Sequence, residues 1–149
     1  MRICFFGHAE CNISTELNQR LNLLLQEYVK TEACEFLFGS YGRFDDAAFI
    51  CVKNLTSAYN IVKSFVTPYI TESYQVRLEY ARHIYDQIIY PEIEKVPYKF
   101  AITARNKWMV EQCDLIICYI NHSFGGAYNA VSYAKGRGKR IINLGSAQI

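Results

Sequence analysis

Short apolar runs separated by polar and glycine-bearing turns divide this chain into alternating strand and helix segments. Four to six consecutive apolar residues without polar alternation are typical of strands that are covered on both faces, as in a parallel sheet. Apolar residues that recur every three or four positions indicate amphipathic helices. The pattern therefore predicts an α/β fold: a doubly wound, mainly parallel sheet of five to six strands with helices on both faces.

The predicted strands are the segments of strand length in which apolar residues dominate. They cover residues 2–6, 35–38, 61–66, 86–90, 115–120 and 140–144. Helical spacing predicts helices over residues 14–28, 45–54 and 103–113, and a last helix that starts after Gly125 and Gly126 and ends near Gly136. We interpret residues 70–83 as helix or loop, and residues 92–100 as a loop.

The apolar run at residues 115–120 has the character of a central strand, and a glycine pair and a helix follow it directly. This order directs free backbone N–H groups and the positive end of a helix dipole at whatever lies above the carboxyl end of the strand. Ser123, just before Gly125 and Gly126, adds a hydroxyl donor. The segment predicts an anion-binding site.

Two other strands also end in glycine-bearing loops, Gly7-His8 after the first and residues 39–45 after the second. Ligands of open parallel sheets bind beyond the carboxyl ends of the strands, where the strand order reverses. We therefore expect the three loops to converge on one ligand site. The predicted ligand-binding residues are Gly7, His8, Gly39, Ser40, Gly42, Arg43, Asp45, Arg105, Asn106, Ser123, Gly125, Gly126 and Ala127.

The charged candidates each allow two interpretations. Arg105 either directs a fork of donors at a phosphate or carboxylate, or pairs with a surface carboxylate. Asn106 would position the backbone or a ribose. Asp45 is either a ribose-hydroxyl acceptor or, with Arg43, part of a solvated turn and helix cap; Asp46 is a first-turn acid that complements the helix dipole.

Two histidines and three aromatic residues add further candidates. His8 and His122 could form a metal or acid–base pair, but no cysteine or carboxylate lies at ligand spacing near them, which favours hydrogen bonds to ligand or backbone. We expect no metal and no cofactor. Tyr41, Phe124 and Tyr128 could stack on a base or simply pack in the core or an interface.

Length and composition indicate one folded domain over residues 1–149, since 51% of the 149 residues are apolar and 20% are charged. The aromatic share of 15% leaves rings for a subunit interface and suggests a homo-oligomer. The six cysteines form no C-x-x-C pair, so we expect buried free thiols in a reducing compartment. Without a signal region or a membrane span, we expect a cytoplasmic protein without membrane contact.

The formal net charge is only +2. The one basic cluster, Lys135, Arg137, Lys139 and Arg140, lies at the end of the last predicted helix, where cations complement the helix dipole. Proteins that bind nucleic acid usually carry a strong basic excess on one face. The charge therefore leads us to expect no nucleic-acid partner.

Four short motifs occur in order along nearly the whole chain. They are Phe6-Gly7-His8, then Gly39-x-x-Gly42-x-x-Asp45, then Arg105-Asn106-x-x-Met109-Val110, and last Gly125-Gly126-Ala127. This set resembles the SLOG superfamily and, more narrowly, its small YpsA-like branch, which is related to the LOG and DprA/Smf Rossmann-like proteins. The resemblance implies a domain that binds a nucleotide-derived small molecule, such as an NAD- or ADP-ribose-type or cyclic-nucleotide signal. The implied role is a sensor or sequestering protein in bacterial or phage defence.

The resemblance leaves an enzymatic alternative open, a LOG-type nucleotide N-glycosidase or phosphoribohydrolase. The glutamate of that motif falls on Ala130 and its threonine on Ala127, so catalysis would need a displaced carboxylate such as Asp45, Glu79 or Glu111. A third possibility, a DNA-binding module, is disfavoured by the small net charge.

Overall fold

The computed structural model describes all 149 residues and contains one six-stranded, all-parallel sheet. The strands are β1 (Arg2–Gly7), β2 (Cys34–Phe38), β3 (Ile61–Val66), β4 (Gln87–Ile89), β5 (Leu115–Tyr119) and β6 (Arg140–Asn143). The helices are α1 (Thr15–Val29), α2 (Arg43–Leu55), α3 (Gln75–Ile84), α4 (Ala101–Gln112) and α5 (Gly126–Gly136), with 3₁₀ turns at Glu72–Tyr74 and Tyr98–Phe100. The predicted fold class is confirmed.

The strand order is β4-β3-β2-β1-β5-β6. The chain builds outward from β1 to β4, and α4 then carries it back to the other side of β1, where β5 and β6 are added. Gly7 at the end of β1 pairs with Tyr119 at the end of β5. The strand order therefore reverses between β1 and β5, and the loops that leave these two strands start side by side.

Alternation along the buried strands divides the core into two layers. In β1, Ile3 and Phe5 face the layer that contains α1, α2 and α3, whereas Cys4 and Phe6 face the layer that contains α4 and α5. The first layer is aromatic: the ring centroids of Phe5 and Phe38 lie 5.1 Å apart. Because both faces of the central strands are covered, their apolar runs show no polar alternation.

The element boundaries follow from local hydrogen bonds. Ser14 caps α1, since its Oγ accepts the Leu17 N–H at 3.0 Å. The segment at 70–83, left open between helix and loop, forms the first 3₁₀ turn and most of α3. The strand predicted over 86–90 is shorter, because the Asp86 carboxylate accepts the Lys63 N–H at 2.7 Å and Pro91 has no N–H to donate.

The basic cluster after α5 acts on a neighbouring helix as well as on its own. Lys139 Nζ donates to the carbonyls of Glu111 and Cys113, at 3.1 and 3.0 Å, and so caps the end of α4. Arg137 forms a 3.0 Å ion pair with Glu111.

All six cysteines are free thiols, five of them buried and Cys11 partly so. None of the helices is both long and apolar enough to cross a membrane.

Candidate functional site

A cavity of about 330 Å³ lies at the carboxyl edge of the sheet, where β1 and β5 end. Its walls come from the loops after β1, β2 and β5 and from the first turns of α4. This is the position expected for the ligand site of an open parallel sheet, and the volume lies within the range of small-ligand pockets, roughly 300–1,000 Å³.

The structure places most of the predicted site residues on the wall of this cavity. Those that line it are Gly7, His8, Gly39, Asp45, Arg105, Asn106, Gly125, Gly126 and Ala127. The others, which do not line it, are Ser40, Gly42, Arg43 and Ser123. The three glycine-bearing loops thus converge as the strand pattern indicates.

The residues outside the cavity shape the loop after β2 or lie beyond the rim. Ser40 adopts a φ of 56°, its N–H donates to Asp45 Oδ2 at 2.6 Å, and its carbonyl accepts from Arg77. Gly42 begins α2 with a φ of 94°, close to the backbone of Ala9. Arg43 lies in the groove between α1 and α2, and Ser123 is exposed.

The start of α5 is open toward the cavity. Gly125 has a φ of 94° at the N-cap position, and no side chain caps the helix. A Cβ atom built on Gly125 or Gly126 would meet no atom within 4 Å. The first N–H groups of α5 are therefore accessible to a ligand that carries negative oxygens.

Arg105 forms the floor of the cavity and is only 3% exposed. Its Nη1 donates to the Val66 and Gly39 carbonyls at 2.8 and 3.0 Å, and its Nε donates to Asn106 Oδ1 at 2.9 Å. Nη2 has no hydrogen bond within the protein. The guanidinium is thus neither a surface ion pair nor a free fork. It fastens the ends of β2 and β3 to α4 and leaves Nη2 without a partner inside the protein.

Asp45 is buried beside this guanidinium, in the first turn of α2. Burial raises the pKa of Asp45 to about 7, against the opposing effects of the Arg105 charge and the Ser40 N–H. The carboxyl is therefore partly protonated at neutral pH. It holds the loop after β2 through Ser40 and is part of the cavity wall. Because it is buried, Asp45 is not part of a solvated turn, and its role as a ribose-hydroxyl acceptor stays a prediction.

His8, His122 and Phe124 form a continuous stack at the point where β1 and β5 end. The ring centroids of His8 and His122 lie 3.5 Å apart, and those of His122 and Phe124 lie 3.8 Å apart. His8 Nε2 accepts the Asn121 N–H at 3.1 Å. Burial, together with the nearby His122, lowers the pKa of His8, which favours the neutral form of that ring.

The stack ends in an exposed ring, because Phe124 is 67% exposed while His8 is buried. His122 Nδ1 is a buried side-chain atom without a hydrogen-bond partner, in a side chain on the cavity wall. Tyr41, 72% exposed, provides a second ring on the wall. Tyr128, the third aromatic candidate, packs against the α4 and α5 core layer instead.

Five residues that line the cavity were not among those predicted from the sequence: Phe5, Phe6, Ala9, Glu10 and Ile102. Ile102 had a usable signal, because it lies three and four positions before Arg105 and Asn106 on α4 and so shares their helix face. Ala9 and Glu10 simply continue the loop after His8.

Two of the three carboxylates considered as replacements for the LOG glutamate lie outside the cavity. Glu79 pairs with Arg82 at 2.8 Å and Glu111 pairs with Arg137, and neither lines the cavity. Ala130, at the position of the LOG glutamate, is buried within α5. Asp45 alone of the three borders the cavity.

Two solved structures of DNA processing protein A share this fold. The Streptococcus pneumoniae structure aligns with a TM-score of 0.67 at 13% identity, over 99% of this chain and 51% of that chain. The Helicobacter pylori structure, described for its single-stranded DNA binding mode, aligns with a TM-score of 0.63 at 18% identity, over 96% of this chain and 64% of that chain. No protein-family model and no curated protein matches the sequence.

These similarities concern the fold, and this chain spans less than two thirds of the length of either neighbour. The Rossmann-like fold that the resemblance implies is shared with both neighbours, while the YpsA-like branch stays a prediction. The predicted small-molecule role, with its LOG-type alternative, and the expectation of no nucleic-acid partner are contradicted, because the H. pylori neighbour binds single-stranded DNA. The signalling and phage-defence roles that the resemblance implies find no support in these neighbours.

The two helix-start glycines provide a matched pair of stability variants. Gly42 and Gly125 share a φ of 94°, so alanine brings a similar backbone strain at each, about 1–3 kcal/mol. At Gly42 the new Cβ would also lie 2.7 Å from Ala9 Cα, whereas at Gly125 it meets open space. We expect Gly42→Ala to reduce the free energy of unfolding clearly more than Gly125→Ala in urea titrations; equal losses would refute the clash.

The raised pKa of Asp45 predicts a pH-dependent stability. Between its unfolded value near 3.8 and its folded value of about 7, the folded state binds the proton more tightly, so this stabilisation is present at low pH and lost as pH rises. The loss has an upper limit of roughly 4 kcal/mol. We expect Asp45→Asn to be more stable than wild type at pH 8, with the gain shrinking toward pH 4, as measured by urea unfolding.

Asp46→Asn is the control, because Asp46 is the exposed neighbour in the same helical turn. It should retain the wild-type trend with pH. A constant difference between Asp45→Asn and wild type from pH 4 to pH 8 would show that Asp45 titrates normally.

Proposed function

We propose that the cavity binds single-stranded nucleic acid, with DNA as the first candidate. A base would lie on the exposed ring of Phe124 and the adjoining phosphate at the start of α5. The observation that carries this proposal is the adjacency of two features at one cavity. A preformed ring stack ends at Phe124, and the next residue, Gly125, is the N-cap of a helix that no side chain caps.

The stack supplies a platform for a base. His122 supports Phe124 from beneath and is itself supported by His8, so the ring is ordered before any ligand arrives. Stacking of a base on an aromatic side chain contributes about 1–3 kcal/mol and tolerates any base, because every base has a π-face. A platform of this kind suits unpaired bases, whose faces are accessible.

The open helix start supplies the phosphate site. Gly125 and Gly126 leave space for a phosphodiester to approach the first N–H groups of α5, where the helix dipole favours negative charge. Nη2 of Arg105 is a further donor on the wall. The exposed Glu10 and the partly ionised Asp45 oppose an anion there, so the site accepts few phosphates.

On this proposal, the small net charge limits the strength of electrostatic binding and does not exclude a nucleic-acid partner. A net charge of +2 rules out strong binding by long-range attraction alone, but stacking and backbone donors do not appear in a charge count. With one or two phosphates neutralised, the logarithm of the affinity should fall with the logarithm of salt concentration with a slope of only about −0.7 to −1.4.

The structural neighbours support this proposal, since the H. pylori protein, which contains this fold, binds single-stranded DNA. We also propose that the chain belongs to the YpsA-like branch, on the order of its four motifs, and that it is cytoplasmic, on its six free cysteines. The homo-oligomer suggested by the aromatic content stays a prediction.

Fluorescence anisotropy with labelled oligo-dT tests the function. We expect Phe124→Ala to weaken binding by about 5- to 150-fold, the equivalent of 1–3 kcal/mol. Gly126→Asp should abolish binding through steric and charge repulsion while the thermal unfolding temperature is retained. Duplex DNA of the same length should compete poorly, because its bases are already stacked.

Leu23→Ala is the control: Leu23 is a large exposed apolar residue on α1, outside the cavity wall. It should bind as wild type does. Oligo-dT binding that survives both Phe124→Ala and Gly126→Asp would move the nucleic-acid site away from this cavity, and no binding of any oligonucleotide at low salt would end the proposal.

A further inference from the structure

We infer that a bound strand continues from the cavity onto a second base platform, the exposed ring of Tyr98. This inference rests on the function proposed above and specifies how much of the strand the protein holds. It makes the partner an extended single strand that occupies two base sites, not a mononucleotide or a dinucleotide confined to the cavity.

Tyr98 is held in place by a second ring stack. The ring centroids of Tyr69 and Tyr98 lie 4.3 Å apart with an interplanar angle of 17°, and Tyr69 Oη donates to the Tyr98 carbonyl at 3.2 Å. Tyr74 packs edge-on against Tyr69 at 5.3 Å. One face of the Tyr98 ring is thus covered by Tyr69, while the residue as a whole is 64% exposed.

The two stacks have the same construction. Each begins with rings packed against the protein and ends in one exposed ring, Phe124 in the first and Tyr98 in the second. Exposed rings fixed from behind present a flat apolar face with little side-chain entropy left to lose on binding. A base can stack on either without reordering the side chain.

The second platform is fixed to the same frame as the cavity. Tyr69 follows three residues after Val66, whose carbonyl accepts from Arg105. Tyr98 begins the 3₁₀ turn that leads into α4, and the first turns of α4 carry Ile102, Arg105 and Asn106 to the cavity wall. One continuous piece of backbone therefore links the platform to the cavity wall.

The charge of this region fits a nucleic-acid strand. Residues 95–110 contain four cations, Lys95, Lys99, Arg105 and Lys107, and no aspartate or glutamate. Lys99 Nζ lies 5.0 Å from the ring centroid of the half-exposed Phe100. Cations beside exposed rings are the combination with which proteins follow single strands, whereas a second copy of this chain, with its net charge of +2, has no overall charge attraction to them.

Anisotropy titrations with dT4 and dT12 on the full chain test the second platform. We expect Tyr98→Ala to weaken dT12 by about 5-fold or more and to leave the weaker binding of dT4 unchanged, whereas Phe124→Ala weakens both. Tyr98→Phe, which keeps the ring, should bind as wild type does. Tyr80→Ala is the matched control, since Tyr80 is 65% exposed on α3 and its ring stacks on no other.

Three results would overturn the inference. If Tyr98→Ala binds dT12 as wild type does while Phe124→Ala does not, the second platform is wrong and the cavity proposal stands. If neither oligonucleotide binds the wild-type chain, the proposed function fails and the platform with it. If Tyr98→Ala lowers the mass found by sedimentation without changing dT12 affinity, the ring belongs to an interface between copies of this chain.

Discussion

The buried guanidinium of Arg105 is the interaction on which the candidate site depends. It joins the carboxyl ends of β2 and β3, through the carbonyls of Gly39 and Val66, to the helix that carries the chain back across the sheet. A buried charge without compensating hydrogen bonds would be strongly destabilising, so these carbonyls are structural partners and not incidental contacts. Gly39 allows this close packing, because a Cβ there would lie 3.1 Å from the guanidinium carbon and would force the guanidinium to shift. One charge thus fixes the floor of the cavity and the position of α4.

The return of α4 across the sheet places β5 beside β1, and this adjacency creates the chemistry of the site. The residues after the two paired strand ends meet as the His8–His122 stack, and Phe124 and the start of α5 follow within four residues. A flat apolar ring and an accessible helix start, side by side, match the alternation of base and phosphate along a nucleic-acid strand. The same frame extends to Tyr98 through the turn that precedes α4. The fold thus determines the positions of the Phe124 and Tyr98 rings. Two exposed rings suit a polymer better than a small, fully enclosed ligand.

The sequence predicts the fold well because strand pattern and glycine position are local properties. The apolar runs identify all six strands, and Gly7, Gly39 and Gly125 identify the loops that meet. The partners of Arg105 could not be predicted, since carbonyls 39 and 66 positions away leave no side-chain signature. The histidine stack depends on the pairing of Gly7 with Tyr119, which only the completed sheet defines. The absence of a nucleic-acid partner was inferred from a charge summed over the whole chain, which hides a 16-residue acid-free segment.

Photocrosslinking tests the central claim most directly. The full chain would be irradiated with an oligonucleotide that contains 5-iodouracil, and the adducts would be located by mass spectrometry of proteolytic fragments. The account predicts adducts on aromatic residues of the cavity wall, Phe124 first and Tyr41 second. Adducts confined to the basic cluster after α5, at residues 135–140, would show that the strand binds by charge alone on another face and would contradict the account.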